Sequence, residues 1–208
     1  LLDLDAPVAS YWPEFGAEDK GSIPVRWLLT HQAGLPFPSL PVTYEDVLSW
    51  DRIVDKLAAS TTEWEPGTAH GYHAVTYGFL VGEVLRRVTG RTVGTLLAEE
   101  VAGPLGLDTY IGLPDGLGPR VEPLAGRLGA PDDADPAVRE LIEQFMGPTT
   151  RLGRALSCGG ALSDSAVFND PEVWAAEIPA ANGITDARSL SRLYAALIGP
   201  VEADDRFP

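Results

Sequence analysis

"EWEPGTAHGYHAVTYGFLVGEVLRRVTG", residues Glu63–Gly90, changes character at its middle. Pro66-Gly67 marks a turn, and a further glycine, Gly71, immediately precedes Tyr72. From Val75 the chain turns regular. Val75, Phe79, Leu80, Val84, Leu85 and Val88 recur at helical spacing, and Arg86-Arg87 before Gly90 reads as a stop. A tyrosine flanked by His70 and His73 thus falls where a loop becomes an amphipathic helix. There a side chain can face a cleft while its backbone is held still. Two roles fit Tyr72 on local grounds. It can anchor the turn to the core, its hydroxyl finding a backbone partner. Or it can move a proton near neutral pH, for which a nearby cation must draw a phenol's pKa down from about 10.

The surrounding chain reads as helix after helix. "PVRWLLTH" (Pro24–His31) predicts a short helix with Pro24 near its first position, ended by Gly34 and Pro36. Thr43–Ser60 predicts one continuous helix, with Thr43 and Asp46 as a capping box and Val47, Leu48, Ile53, Val54 and Leu57 as its buried stripe. Val93–Val101 follows as a helix closed by "GPLGLD". Pro136–Met146 and Thr185–Gly199 are again amphipathic, the second capped by Thr185 or Asp186. "DGLGPRVEP" (115–123) and "GAPDDADP" (129–136) are loops, and "TYIGL" (109–113) is a short strand. A mixed α/β domain would place about a fifth to a quarter of its residues in a sheet. Here the sequence supports only a few, so the chain reads as mainly α.

Composition narrows the function classes. The 208 residues are 45% hydrophobic and 22% charged, the profile of an ordinary globular protein. A net charge of −15 disfavours nucleic acid and anionic membrane as partners. No apolar run is long enough for a membrane span, and residues 1–20 show no basic, apolar leader. A single cysteine, Cys158, excludes an internal disulfide, which leans toward a reducing, cytoplasmic compartment. In its small-residue loop "SCGGALSD", Cys158 reads as an inert buried thiol with no base beside it.

Phosphate-cradling loops of the G-x-x-x-x-G-K-[ST] and G-x-G-x-x-G kinds are absent, and so is a G-x-S-x-G elbow. His70 and His73 with a carboxylate such as Glu63 could hold zinc, but Gly71 lies between them and no H-E-x-x-H occurs; no metal or organic cofactor is expected. Trp64 and Trp174 are read as core indoles ahead of substrate-groove walls. His31 reads as a structural histidine closing its helix.

Five blocks, in order, carry a family resemblance. "PGTAHGYHAVTYGFLVG" (Pro66–Gly82) is similar to the P-G-x4-Y-x-N-x2-Y-x-L-x-G block of the serine beta-lactamase and penicillin-binding-protein superfamily, in its class C-like esterase branch. "VRWLLTHQAGLP" (Val25–Pro36) resembles that family's L-L-T-H-x-S-G-L-P segment, and "LDLDAPVASYWPEF" (2–15) the segment after its nucleophile helix. "PLGLDTYIGLP" (104–114) and "ANGITDARSLSRLYAAL" (181–197) resemble two later blocks.

The resemblance implies the helical portion of the α/β beta-lactamase/transpeptidase-like fold with most of the sheet missing. Residues 1–208 would then be a single partial domain, truncated at both ends. It also implies a serine nucleophile on S-x-x-K, with the lysine and a tyrosine handling the proton and the acyl group passing from substrate to serine to water. Tyr72 takes the tyrosine position. His73 and Ala74 stand where serine and asparagine are usual, and the loss of that amide moves the expectation from beta-lactams toward esters. His70, His73 and Ala74 become candidates for shaping the pocket of a small-molecule ester or amide substrate. Asn182 and Gly183 fall in a matching block read as a turn before a helix.

The chain has two lysines, Lys20 and Lys56, and residues 17 and 53, three places earlier, are Ala17 and Ile53, so no S-x-x-K exists; K-T-G, H-T-G and H-x-G are also absent. The expectation is a serine-hydrolase portion that is inactive alone. The alternative is a non-catalytic helical binding or interaction module of the same ancestry.

Overall fold

A computed structural model describes residues 2–125 and 134–200. Two single 3-10 turns, Val8–Ser10 and Pro13–Gly16, open the chain and place Val8, Trp12 and Phe15 in the core. Helix α1 (Val25–Leu29) follows Pro24, whose fixed φ and missing N–H suit a helix entrance.

The helix predicted over Thr43–Ser60 is two. α2 (Tyr44–Leu48) starts on the expected reciprocal capping box of Thr43 and Asp46 and ends at Ser49, from which α3 (Trp50–Ala58) sets off at a new angle. The apolar spacing explains the break. Val47 and Ile53 would lie about 120° apart around a straight helix, yet both are buried in one core. Re-phasing at Ser49 brings them together. It also lets Lys56 reach back to the Pro41 carbonyl (2.7 Å) and the Asp46 carboxylate (3.4 Å).

α4 (Thr76–Thr89) is the central helix and stops at Gly90 as read, with φ 70° there. Its buried face carries Phe79, Leu80 and Val84 against Ile53, Leu57, Leu28 and Trp12. Gly78 has no side chain for a reason. A Cβ there would sit 2.6 Å from the Ala180 backbone nitrogen, so the turn at 178–182 rests directly on the helix.

α5 (Val93–Leu97) runs through a π-helical turn, Ala98–Ala102, into α6 (Gly103–Leu105). The wider turn precedes Pro104, which has no N–H and whose ring would crowd a regular helix carbonyl. Strand β1 (Thr109–Tyr110) falls within the predicted "TYIGL". Its antiparallel partner β2 (Ile184–Thr185), paired Thr109 to Thr185 and Tyr110 to Ile184, was not foreseen and takes in Thr185, the first residue of the predicted helix. α7 (Pro136–Met146) keeps the predicted bounds. α8 (Arg151–Leu156) and α9 (Pro171–Ala175) were not foreseen, and α10 (Ala187–Ala196) starts on the Asp186 cap. Residues 126–133, which include the first five of the predicted loop 129–136, lie outside the described residues. The described chain is therefore a helical assembly with a two-strand ribbon, as the fold reading expected.

Two charged side chains are fully buried in the core layer. Lys20 Nζ donates to three carbonyls, of Ala17 (2.8 Å), Ala58 (2.9 Å) and Ser60 (2.6 Å), closing the end of α3. Burial lowers its pKa, and the charge of Glu18 opposes that shift. Glu83 accepts from Trp50 Nε1 (2.7 Å), Arg86 Nε (2.9 Å) and Arg87 Nε (2.7 Å). Every carboxylate and ammonium valence is used, as burial of a charge demands.

Candidate active site

Between Trp64 and α4 the chain climbs through 70–73 with no regular structure. Gly71 lies on the Trp64 indole, where a Cβ would come within 2.8 Å of the ring. Trp64 is itself fixed by donating Nε1–H to the Ala69 carbonyl (3.1 Å). The next residue, Tyr72, turns outward with 58% of its surface exposed, whereas His73, Ala74, Val75 and Thr76 are all buried. Tyr72 is thus the last outward side chain before the segment sinks into the protein at His73.

His73 supplies the footing. Its ring is fully buried and edge-on to Trp64, at 5.7 Å between centroids. Nδ1–H donates to the Gly71 carbonyl (2.6 Å), and Nε2 accepts from the Leu35 N–H (3.0 Å). Thr76 completes the seam by donating to the Leu35 carbonyl (2.7 Å). Burial pushes the His73 pKa down to about 4, the Gly71 carbonyl opposing and His31 adding to the shift. A neutral ring is required by geometry as well, because protonated Nε2 could not accept from Leu35.

His31 closes the other side. It lies just beyond α1 with φ 59°, and its carbonyl accepts from the Gly71 N–H (3.1 Å) while its Nδ1 accepts from the His73 N–H (3.2 Å). Its ring meets Tyr72 edge-on at 5.4 Å and stacks at a tilt on Tyr77 at 4.9 Å. Burial, then the charge of His70, holds its pKa below the usual imidazole range. The reading of His31 as a histidine that ends a helix and bonds neighbouring loops agrees with this. Its ring contacts with Tyr72 and Tyr77 were missed, and no signal in the sequence joins "LLTH" to the tyrosine block.

The other candidates separate. His70 is exposed at the rim. Ala74 is buried with Phe37 and Ala155, and Arg154 of α8 lies 3.8 Å from the Phe37 ring centroid. Arg151, one turn earlier, covers Trp64 at 5.7 Å. The zinc arrangement of His70, His73 and Glu63 loses its second ligand, since the His73 lone pair is taken by Leu35. Among the described residues no three His, Cys, Asp or Glu side chains converge. Cys158 is buried, and that burial pushes its thiol up to about 12, which removes it as a nucleophile. Asn182 spends its amide on Val173 and Ala176 carbonyls and its oxygen on the Ile178 N–H, a turn as read. Trp174 donates inward to the Phe168 carbonyl. Two small hollows elsewhere, of about 90 and 220 Å³ around Tyr110, hold neither Tyr72 nor its neighbours.

Comparison with known proteins places this arrangement in context. Residues 1–206 match the protein-family model described as Beta-lactamase. The chain is 37% identical, over 98% of its length and 47% of the relative's, to the esterase/beta-lactamase LipL of Mycobacterium tuberculosis. Among solved structures it resembles a family VIII carboxylesterase (40% identity, TM-score 0.76). It also resembles a penicillin-binding protein homologue from Caulobacter crescentus (37% identity, TM-score 0.77). In both cases the match covers 94% of this chain and 48% of the other. The chain spans about half the length of the relatives it matches.

Proposed function

Because the chain belongs to the beta-lactamase family, we propose that it forms the helical half of a serine hydrolase that cleaves a small ester or amide through an acyl-enzyme. Tyr72 is its general base or proton relay, and the serine and its partner lysine come from polypeptide outside these 208 residues. The observation that carries this reading is the exposed Tyr72 ring on a backbone pinned from both sides. A proton carrier needs that combination of access and fixed aim. His70 at the rim, and the floor made by His73 and Ala74, border the acyl or alcohol side of the substrate. Ala74 in place of an amide, together with the likeness to a carboxylesterase and to an esterase/beta-lactamase, favours esters.

In this reading the serine hydroxyl gives its proton toward Tyr72 as its oxygen attacks the ester carbonyl. The tetrahedral intermediate collapses, Tyr72 returns the proton to the departing alcohol, and water repeats the cycle to free the acid.

Three measurements test it. The 208-residue chain incubated with a short-chain p-nitrophenyl ester gives no turnover, and nitrophenol release that depends on the protein would overturn the division of the site. Sequencing the DNA that flanks this reading frame finds S-x-x-K shortly before Leu1. A natural start codon there instead supports the non-catalytic interaction module. In the extended protein, Tyr72→Phe lowers kcat by about 100-fold or more.

A further inference from the structure

We infer that His31 is the positioning residue of Tyr72, aiming the phenol by holding the peptide groups on both sides of it. This rests on the reading of Tyr72 as the proton carrier. The hold has two points. The His31 carbonyl takes the N–H of Gly71, before Tyr72, and the His31 ring takes the N–H of His73, after it. Between them the Gly71 carbonyl is taken by His73 Nδ1–H, so the polar groups flanking Tyr72 lead into the protein and its ring leads out. The ring of His31 then lies edge-on to Tyr72 and tilted on Tyr77, which limits how far the phenol can swing.

Backbone conformation makes the two-point hold possible. At φ 59° His31 is left-handed, a region that residues with a Cβ enter rarely and that asparagine enters more readily. That turn lets its carbonyl and its ring face the same loop. A helical or extended φ at this position would send one of them away.

The hydrogen-bond pattern dictates protonation. His31 Nδ1 accepts an N–H, so its proton sits on Nε2, whereas His73 Nε2 accepts and its proton sits on Nδ1. Two adjacent imidazoles, 5.4 Å apart, are therefore opposite tautomers. Protonating His31 would set an N–H against the N–H of His73 and open the hold. The groups facing His31 are His70, Tyr72 and His73 from the loop and Tyr77 from α4, and His70 disfavours that protonation.

The test is nitrogen NMR of the histidine rings, with amide exchange at His73, on the 208-residue chain and on His31→Asn and His31→Gly. Asparagine tolerates the left-handed turn and sets an oxygen near the place of Nδ1; glycine keeps only the turn. We expect the Nε2–H form for His31 and the Nδ1–H form for His73. The His73 amide should exchange about tenfold faster in His31→Gly and stay protected in His31→Asn. Its shift should follow the His31 titration in the native chain and lose that dependence in His31→Asn. An Nδ1–H tautomer at His31, or unchanged exchange in His31→Gly, overturns the inference. Should the glycine variant fail to fold, the native tautomers and the asparagine titration decide. In the extended enzyme His31→Gly lowers kcat about tenfold or more at constant KM, and His31→Asn restores it. If Tyr72→Phe is fully active there while the tautomers are as stated, the reading of Tyr72 as the proton carrier falls and the clamp stands.

Discussion

The first layer of the molecule, up to about residue 90, and the second, beyond it, share one core but differ in what else they bury and expose. In the first, charges go inside. Lys20, Glu83 and the neutral His73 are fully buried, and each polar valence meets a partner. In the second, apolar groups stay outside. Val138, Leu141 and Phe145 line one side of α7, and Leu190, Tyr194, Leu197 and Ile198 follow α10 at helical spacing, with Ile198 91% exposed. The contrast teaches where precision is invested. The first layer is a rigid bed for one outward tyrosine, fixed by directional bonds. The second presents apolar helix faces that the other described residues leave uncovered.

The comparison breaks soonest at Glu83. Glu83→Ala leaves the indole N–H without its acceptor and takes from Arg86 and Arg87 one of their two carboxylate partners, the others being Asp51 and Glu14, and urea unfolding should show a loss of about 3 kcal/mol. A loss below about 1 kcal/mol would mean that the buried ionic network is not what secures α4.

Acid gives the next effect. His73 binds a proton at about 4 in the folded chain and near 6.5 once unfolded. Above pH 6.5 both states are neutral and the stability is full. Between pH 6.5 and about 4 the unfolded chain takes the proton first, so stability falls as pH falls, by about 3 kcal/mol in total. His31, also lowered, adds to the same slope. Unfolding curves across that window should be steeper for the native chain than for His73→Gln, and equal slopes would refute the neutral buried ring.

Lys20→Met is expected to cost about 2 kcal/mol, because it leaves the carbonyls of Ala58 and Ser60 inside without a donor. Thermal unfolding reads this directly. In the second layer Tyr194→Ser and Ile198→Ser should move stability by no more than about 0.5 kcal/mol. A large loss from either would show that those faces are packed after all.

Much of this was legible in the sequence because its signals are local. The loop-to-helix switch at Tyr72, the Gly90 stop, the Thr43 box and the bounds of α7 depend on periodicity and on residues a few places apart. Cys158 as a buried thiol and Asn182 as a turn residue were legible for the same reason. What escaped depends on distance in the chain. The break at Ser49 is set by the need of Val47 and Ile53 to share a core, which overrides a good local helix. β2 is only two residues, Ile184 and Thr185, too short to signal a strand by itself, and exists because Thr109 and Tyr110 pair with it. At the site, Tyr72 was found through its neighbours in sequence, but the hold by His31 joins residues 40 and 42 positions apart, and no local pattern announces it.

The burial of Lys20 also orders events during synthesis. Its carbonyl partners at Ala58 and Ser60 leave the ribosome 38 and 40 residues later. At roughly 5–20 residues per second, the ammonium waits in solvent for some seconds before it has anywhere to go. Until then the contacts of Lys20 cannot close, and this corner of the core is completed only after Ser60 has emerged.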